Sequence, residues 1–243
     1  MEPTRILEQA KAFPFTSIRS YSELDFPEFF EKHAGFIRAF PKGYGFYIWK
    51  PHIIYETLKQ MKEGEILLYA DAGCHLNAKP KALKRFDEYI GYLSDKDIVS
   101  FSLNDTYRAR SFIKQDAIQF YYPEMNSINP TYLMAGVILM RKSNQTMKMI
   151  KEWLNLCTQY LLIDDGPSRY FDDSPWFEGA DCDNSLYNLI MNKHNSSCHI
   201  VYPDELNMYN EEGIQCTQLP GKESLDWSPL DAFPFHTRRD RPN

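Results

Sequence analysis

Amphipathic helices alternate with short, largely apolar strands along most of this chain, and that alternation constrains its fold more than any other feature. The runs EILLYA (65–70), IVSFSL (98–103) and LMAGVILM (133–140) read as core strands. Around them, Ile53, Ile54, Leu58 and Met61 share one helical face, and Leu83, Phe86, Ile90 and Leu93 follow at spacings of 3, 4 and 3. A longer helix, capped by Ser143 or Asn144, turns Ile150, Trp153, Leu154, Cys157 and Leu161 inward. The pattern predicts an α/β fold: a mixed, mainly parallel, Rossmann-like sheet with helices on both faces. Ligands of such sheets bind beyond the carboxyl ends of the strands, where Asp71 stands after EILLYA. The remaining expectations are a short helix over about 4–12, a brief strand TSIRSY (16–21), helices over Phe26–Arg38 and 111–119, and a last helix from Asp183 as N-cap to about His194. Beyond it the chain reads as mostly irregular.

No repeat, low-complexity tract or Gly/Ser linker divides the 243 residues, so residues 1–243 are read as one domain. Acidic residues outnumber basic ones, 33 to 27, and the net charge of −6 excludes a general affinity for nucleic acid or anionic membrane. Any phosphate must therefore meet a local pocket. The apolar runs fall short of the roughly 20 residues that span a bilayer, so no membrane span is expected. The start MEPTRILEQAK lacks the features of a secretory signal. Five scattered cysteines without C-x-x-C spacing fit neither a disulfide framework nor a zinc cluster, and a reducing cytoplasm suits them best.

Four segments carry candidate chemistry. In YADAGCHLN (69–77) a core strand delivers Asp71 into a turn, either to meet a metal-bound diphosphate or simply to cap the turn, and Gly73 allows close backbone approach. In GYGFYIWKP (43–51) the rings can stack on a base or sugar while Lys50 pairs with phosphate, or the rings fill a core edge and Lys50 is solvated. DNSLYN (183–188) sets Asp183 and Asn184 at a helix start, facing a sugar or developing charge; capping is the simpler account of Asp183. PFHTRRDRP offers His236, Arg238, Arg239 and Arg241 as an anion or metal site, or as a solvated tail. G-x-S-x-G, P-loop, G-x-G-x-x-G and H-E-x-x-H motifs are all missing, so hydrolase, NTPase, dehydrogenase and zinc-protease readings lack support.

The ordered set GYGFYIWKPHII, EILLYADAGCHLN, AGVILMRKS followed by EWL, DNSLYN and HTRR resembles a family of GT-A-type glycosyltransferases, mostly bacterial and viral. Members read G-Y-G-Y-W-I-W-K-P, then D-I-L-L-Y-x-D-A-G-C, then H-D-Q-S. More distantly the layout is similar to the glycogenin-like retaining transferases. The resemblance implies a sugar transferred from a nucleotide-diphosphate donor to a glycan hydroxyl, assisted by Mn²⁺ or Mg²⁺. It makes Asp71 the first acid of a D-x-D-like motif, with Ala72 and Gly73 beside the donor. Tyr47 and Lys50 border the nucleotide sugar. Asp183 and Asn184 lie at the reacting carbon, His236 is a late metal ligand with Asp71, and Arg238 or Arg239 neutralises the diphosphate.

Gly73 stands where the family has its second acid, and GADC where closer members have H-R-H. The chain starts inside the family's usual first helix, so the opening strand that helps hold the base is expected to be missing. A catalytically inactive nucleotide- or sugar-binding relative is the alternative, and a phosphodiester or pyrophosphate hydrolase ranks last.

Overall fold

The computed structural model describes residues 4–125, 128–218 and 224–238. The helices are α1 (Thr4–Ala10), α2 (Pro27–Ala39), α3 (Gly43–Phe46, a single turn), α4 (Trp49–Gln60), α5 (Pro80–Tyr92), α6 (Gln115–Tyr121), α7 (Asn144–Cys157), α8 (Tyr160–Ile163) and α9 (Cys182–Lys193). The strands are β1 (Ile66–Ala70), β2 (His75–Leu76), β3 (Ile98–Ser102), β4 (Leu133–Arg141), β5 (Cys198–Val201) and β6 (Phe235–His236).

The three apolar runs lie side by side in one sheet of order β1-β4-β3-β5. β1 and β3 run antiparallel to β4, and β5 runs parallel to β3, so β1, β3 and β5 point one way and β4 the other. The α/β fold with a mixed sheet is as expected, with three of four strands pointing one way, but two of its three pairings are antiparallel because β4 lies between β1 and β3. Neighbouring residues of β3 show that both faces are covered: the Ser100 hydroxyl bonds the Tyr187 hydroxyl of α9, while Phe101 meets Tyr89 of α5 edge-on at 5.1 Å. On the α9 side α7 packs against both α4 and α9, with Trp153 fully buried 5.0 Å from Tyr187. On the other side α1 packs on β2, which pairs with β6, and Phe13, Phe86 and Phe235 close the layer ring against ring.

Several local expectations need correction. TSIRSY is not a strand: its side chains are exposed from Thr16 to Ser20, and no strand among the described residues takes its backbone bonds. The long helix is capped by Ser143, whose Oγ accepts the Thr146 N–H at 3.0 Å, but it stops at Cys157 when Gln159 turns extended. Leu161 consequently lies on α8 with its side chain exposed. The helix expected over 111–119 begins at Gln115, whose N–H is capped by Asp173 Oδ1 at 2.8 Å. Asp181, not Asp183, occupies the N-cap position of α9. The stretch after His194 carries β5 and β6.

Candidate functional site

The segment ahead of α4 has an uncommon backbone. Gly43, Tyr44, Gly45, Phe46 and Tyr47 all have positive φ, between 55° and 80°, making one left-handed turn. For L-residues that conformation costs about 1–2 kcal/mol each outside glycine, so three aromatic residues hold it only because their surroundings do. Phe46 is buried against Phe36 and Phe40, and Trp49 Nε1 donates to the Gly43 carbonyl at 2.9 Å. Gly43 lies under the Tyr47 ring, where a Cβ would come within 2.6 Å of ring carbons. The turn delivers Tyr47 and Lys50 to the carboxyl end of β1.

Lys50 is not solvated: it is only 4% exposed. Its ammonium lies 2.8 Å from Asp183 Oδ2 and 3.5 Å from Asp71 Oδ1, with the Tyr47 and Tyr69 rings at 5.3 and 5.8 Å. Asp71 is the outward carboxylate, its side chain 31% exposed. The Tyr69 hydroxyl donates to its Oδ1 at 2.7 Å, and its N–H continues the β1–β4 ladder to the Gly136 carbonyl at 2.8 Å. A Cβ at Gly136 would stand 3.0 Å from Asp71 Oδ2, so glycine there leaves room for the carboxylate. The turn Asp71–Cys74 closes with Cys74 N–H on the Asp71 carbonyl at 2.8 Å, and Arg5 of α1 donates to the carbonyls of Ala72 and Cys74.

Asp183 is buried behind Lys50. Its Oδ2 meets the ammonium, and burial, outweighing the pull of Lys50, pushes its carboxyl up to about 7. Asn184 is committed elsewhere: Oδ1 accepts the Ala135 N–H at 2.6 Å and Nδ2 donates to Asp181 Oδ2 at 3.2 Å. With Asn188, which both accepts from and donates to the backbone of Leu133, it continues the ladder of β4 beyond the end of β1. Asp181 is exposed at the rim and takes a 2.8 Å bond from the buried Tyr132 hydroxyl.

His236 and Arg238 line a different space, a cavity of about 410 Å³ bounded also by His75, Asn77, Lys79 and Asp231; Asp71 is not part of its wall. His236 Nε2 is directed at the Leu230 and Phe233 carbonyls, at 2.8 and 3.1 Å, and burial holds its pKa below the ordinary value. The Arg238 guanidinium stacks 4.8 Å over Trp227. Arg239 lies outside the described residues. Asp71 Oδ1 is taken up by Tyr69 and Lys50, and among the described residues no three His, Cys, Asp or Glu side chains converge as metal ligands.

The structure thus brings Tyr47, Lys50, Asp71 and Asp183 together and does not join His236 to them. The sequence reading missed Tyr69, Tyr132, Gly136 and Asp181; only Gly136, a glycine inside an otherwise apolar strand, carried a visible signal. No protein-family model, curated protein or solved structure matches the chain. No helix among the described residues is long and apolar enough to cross a membrane.

Proposed function

We propose that the chain is a GT-A-like glycosyltransferase, binding a nucleotide-diphosphate sugar at the carboxyl end of β1 and passing the sugar to a hydroxyl of a glycan acceptor. The observation that carries the reading is the charge cluster: a buried lysine between two aspartates, built by three of the segments that carry the resemblance, GYGFYIWKP, YADAGC and DNSLYN. Burying a charge is costly unless it is paired, so a sheet end that buries Lys50 and Asp183 beneath the outward Asp71 has a use for a fixed electrostatic pattern. In transfer, the bond from the anomeric carbon to the diphosphate oxygen breaks with its electron pair on the leaving group. The acceptor oxygen bonds that carbon, and its proton passes to a carboxylate or to the departing phosphate. Asp71 meets donor hydroxyls, Lys50 and Tyr69 hold that carboxylate, and Asp183 neutralises Lys50 from behind. In the neighbouring cavity Lys79 pairs with Asp231, and Arg238 on the same wall supports a phosphate-bearing ligand.

A nucleotide- or sugar-binding relative without catalysis is the second reading, favoured by the engagement of His236 Nε2 with backbone carbonyls and by Gly73 in place of an acid. Product analysis with UDP-, GDP- and dTDP-sugars and glycan acceptors, with and without Mn²⁺, separates the readings. Transfer that falls about a hundredfold or more in Asp71→Ala supports the enzyme. Donor binding without turnover supports the relative, and free sugar released without any acceptor requirement marks a hydrolase.

A further inference from the structure

Beyond the charge cluster, the segment between α8 and α9 carries exposed aromatic rings. Asp165 at its start pairs with Lys42 at 3.1 Å, and Asp181 at its end stands at the N-cap position of α9. Midway, Tyr170 is 65% exposed and Phe171 41%, and both rings meet Phe120 of α6, itself 52% exposed, edge-on at 5.5 and 5.2 Å.

These rings are fixed in place. Asp116, fully buried at the start of α6, accepts the backbone N–H groups of Arg169, Tyr170 and Phe171 at 2.7, 3.1 and 3.0 Å. Asp173 accepts from the Ser168 N–H and hydroxyl at 2.7 and 2.6 Å, and the buried Lys114 pairs with Asp164. Three buried or half-buried acids therefore hold a loop whose exposed product is a set of apolar rings, at a cost in exposed apolar surface that folding alone does not require.

We propose that Phe120, Tyr170 and Phe171 form a binding platform for an uncharged oligosaccharide, the acceptor chain; this rests on the transferase reading for the identity of that chain. Rings of roughly 150–250 Å² each, about half exposed, offer on the order of 300 Å², well below the roughly 800 Å² per partner of a stable protein interface. That area suits two or three sugar rings, whose C–H faces pack on aromatic faces while their hydroxyls reach polar neighbours. The exposed charges of the same loop, Asp165, Asp172, Glu178 and Asp181 against Arg169, are net negative and repel an anionic lipid surface.

The test is calorimetry of the full chain with uncharged hexasaccharides of glucose, mannose, galactose and N-acetylglucosamine. Binding of at least one is expected, weakened by about fivefold to tenfold in each of Phe120→Ala, Tyr170→Ala and Phe171→Ala, with donor binding unchanged. The three side chains are exposed, and circular dichroism checks that each variant folds. No binding across the panel, or binding equal in all three variants, overturns the proposal. So does a ring-dependent self-association in sedimentation or a ring-dependent retention on phosphatidylglycerol vesicles. Donor binding without hexasaccharide binding removes the platform and leaves the transferase reading; hexasaccharide binding without donor binding does the reverse.

Discussion

Lys50 neutralises one of the two carboxylates it touches and is itself removed from water, so its contribution to stability depends on both partners staying in place. Lys50→Met leaves Asp183 buried without a counter-ion and is expected to lower unfolding stability by about 3–5 kcal/mol in urea titration. Lys50→Met combined with Asp183→Leu should recover most of that loss, because no uncompensated charge remains. Asp183 also links stability to pH. Its carboxyl titrates at about 7 in the folded chain against about 3.9 when unfolded, so between those values the folded state holds a proton that the unfolded state has released. Stability from this group is therefore present at low pH and lost as pH rises through about 7. The stability difference between wild type and Asp183→Asn should shrink as pH rises from about 4 to about 7 and then level off; a flat difference contradicts the assignment. Lys50 and Asp71 were legible in the sequence because a lysine among aromatics and an acid at a strand end are local patterns. Asp183 was legible as a residue, but its role was not, since Asp181 takes the cap and only tertiary packing turns Asp183 toward Lys50.

Among the elements, the left-handed turn is the one whose sequence and geometry explain each other. Two glycines alternate with aromatics, and the glycines take positions where a side chain would collide: a Cβ at Gly43 would meet the Tyr47 ring, and one at Gly45 would stand 3.0 Å from Ile37 Cγ1. Gly43→Ala should displace the Tyr47 ring from Lys50 and destabilise by about 1–3 kcal/mol in thermal or urea unfolding. The exposed Tyr44, at φ 56°, is the opposite case, and Tyr44→Gly should be neutral to stabilising by up to about 1 kcal/mol. Handedness of this kind cannot be read from hydrophobic periodicity, so the motif was recognisable only as a loop. β1, β3 and β4 were legible because nearly every residue in them is apolar. β5 was not: its four residues, CHIV, form a sheet edge, and a run of that length has no periodicity to read. TSIRSY fails for the complementary reason, having strand-like residues and no partner edge.

At the scale of the molecule, strand order decides what the local motifs meet. With β4 between β1 and β3, Gly136 lies beside Asp71 and the start of α9 comes under Lys50, so segments more than a hundred residues apart share one charge cluster. The same topology pairs β6 with β2 and turns His236 into a neighbouring cavity, which no linear motif foretells. Lys79 and Arg238 stand on the wall of that cavity, Lys79 paired with Asp231, while Lys50 lies beneath Asp71. The central claim is that this end of the sheet binds a nucleotide-diphosphate sugar through Asp71. Calorimetric titration of the full chain with UDP-, GDP- and dTDP-sugars, with and without Mn²⁺, tests it most directly. Saturable binding of at least one donor by wild type, weakened about tenfold or more in Asp71→Ala, is the predicted result; no binding by any donor, or equal binding by the variant, contradicts it.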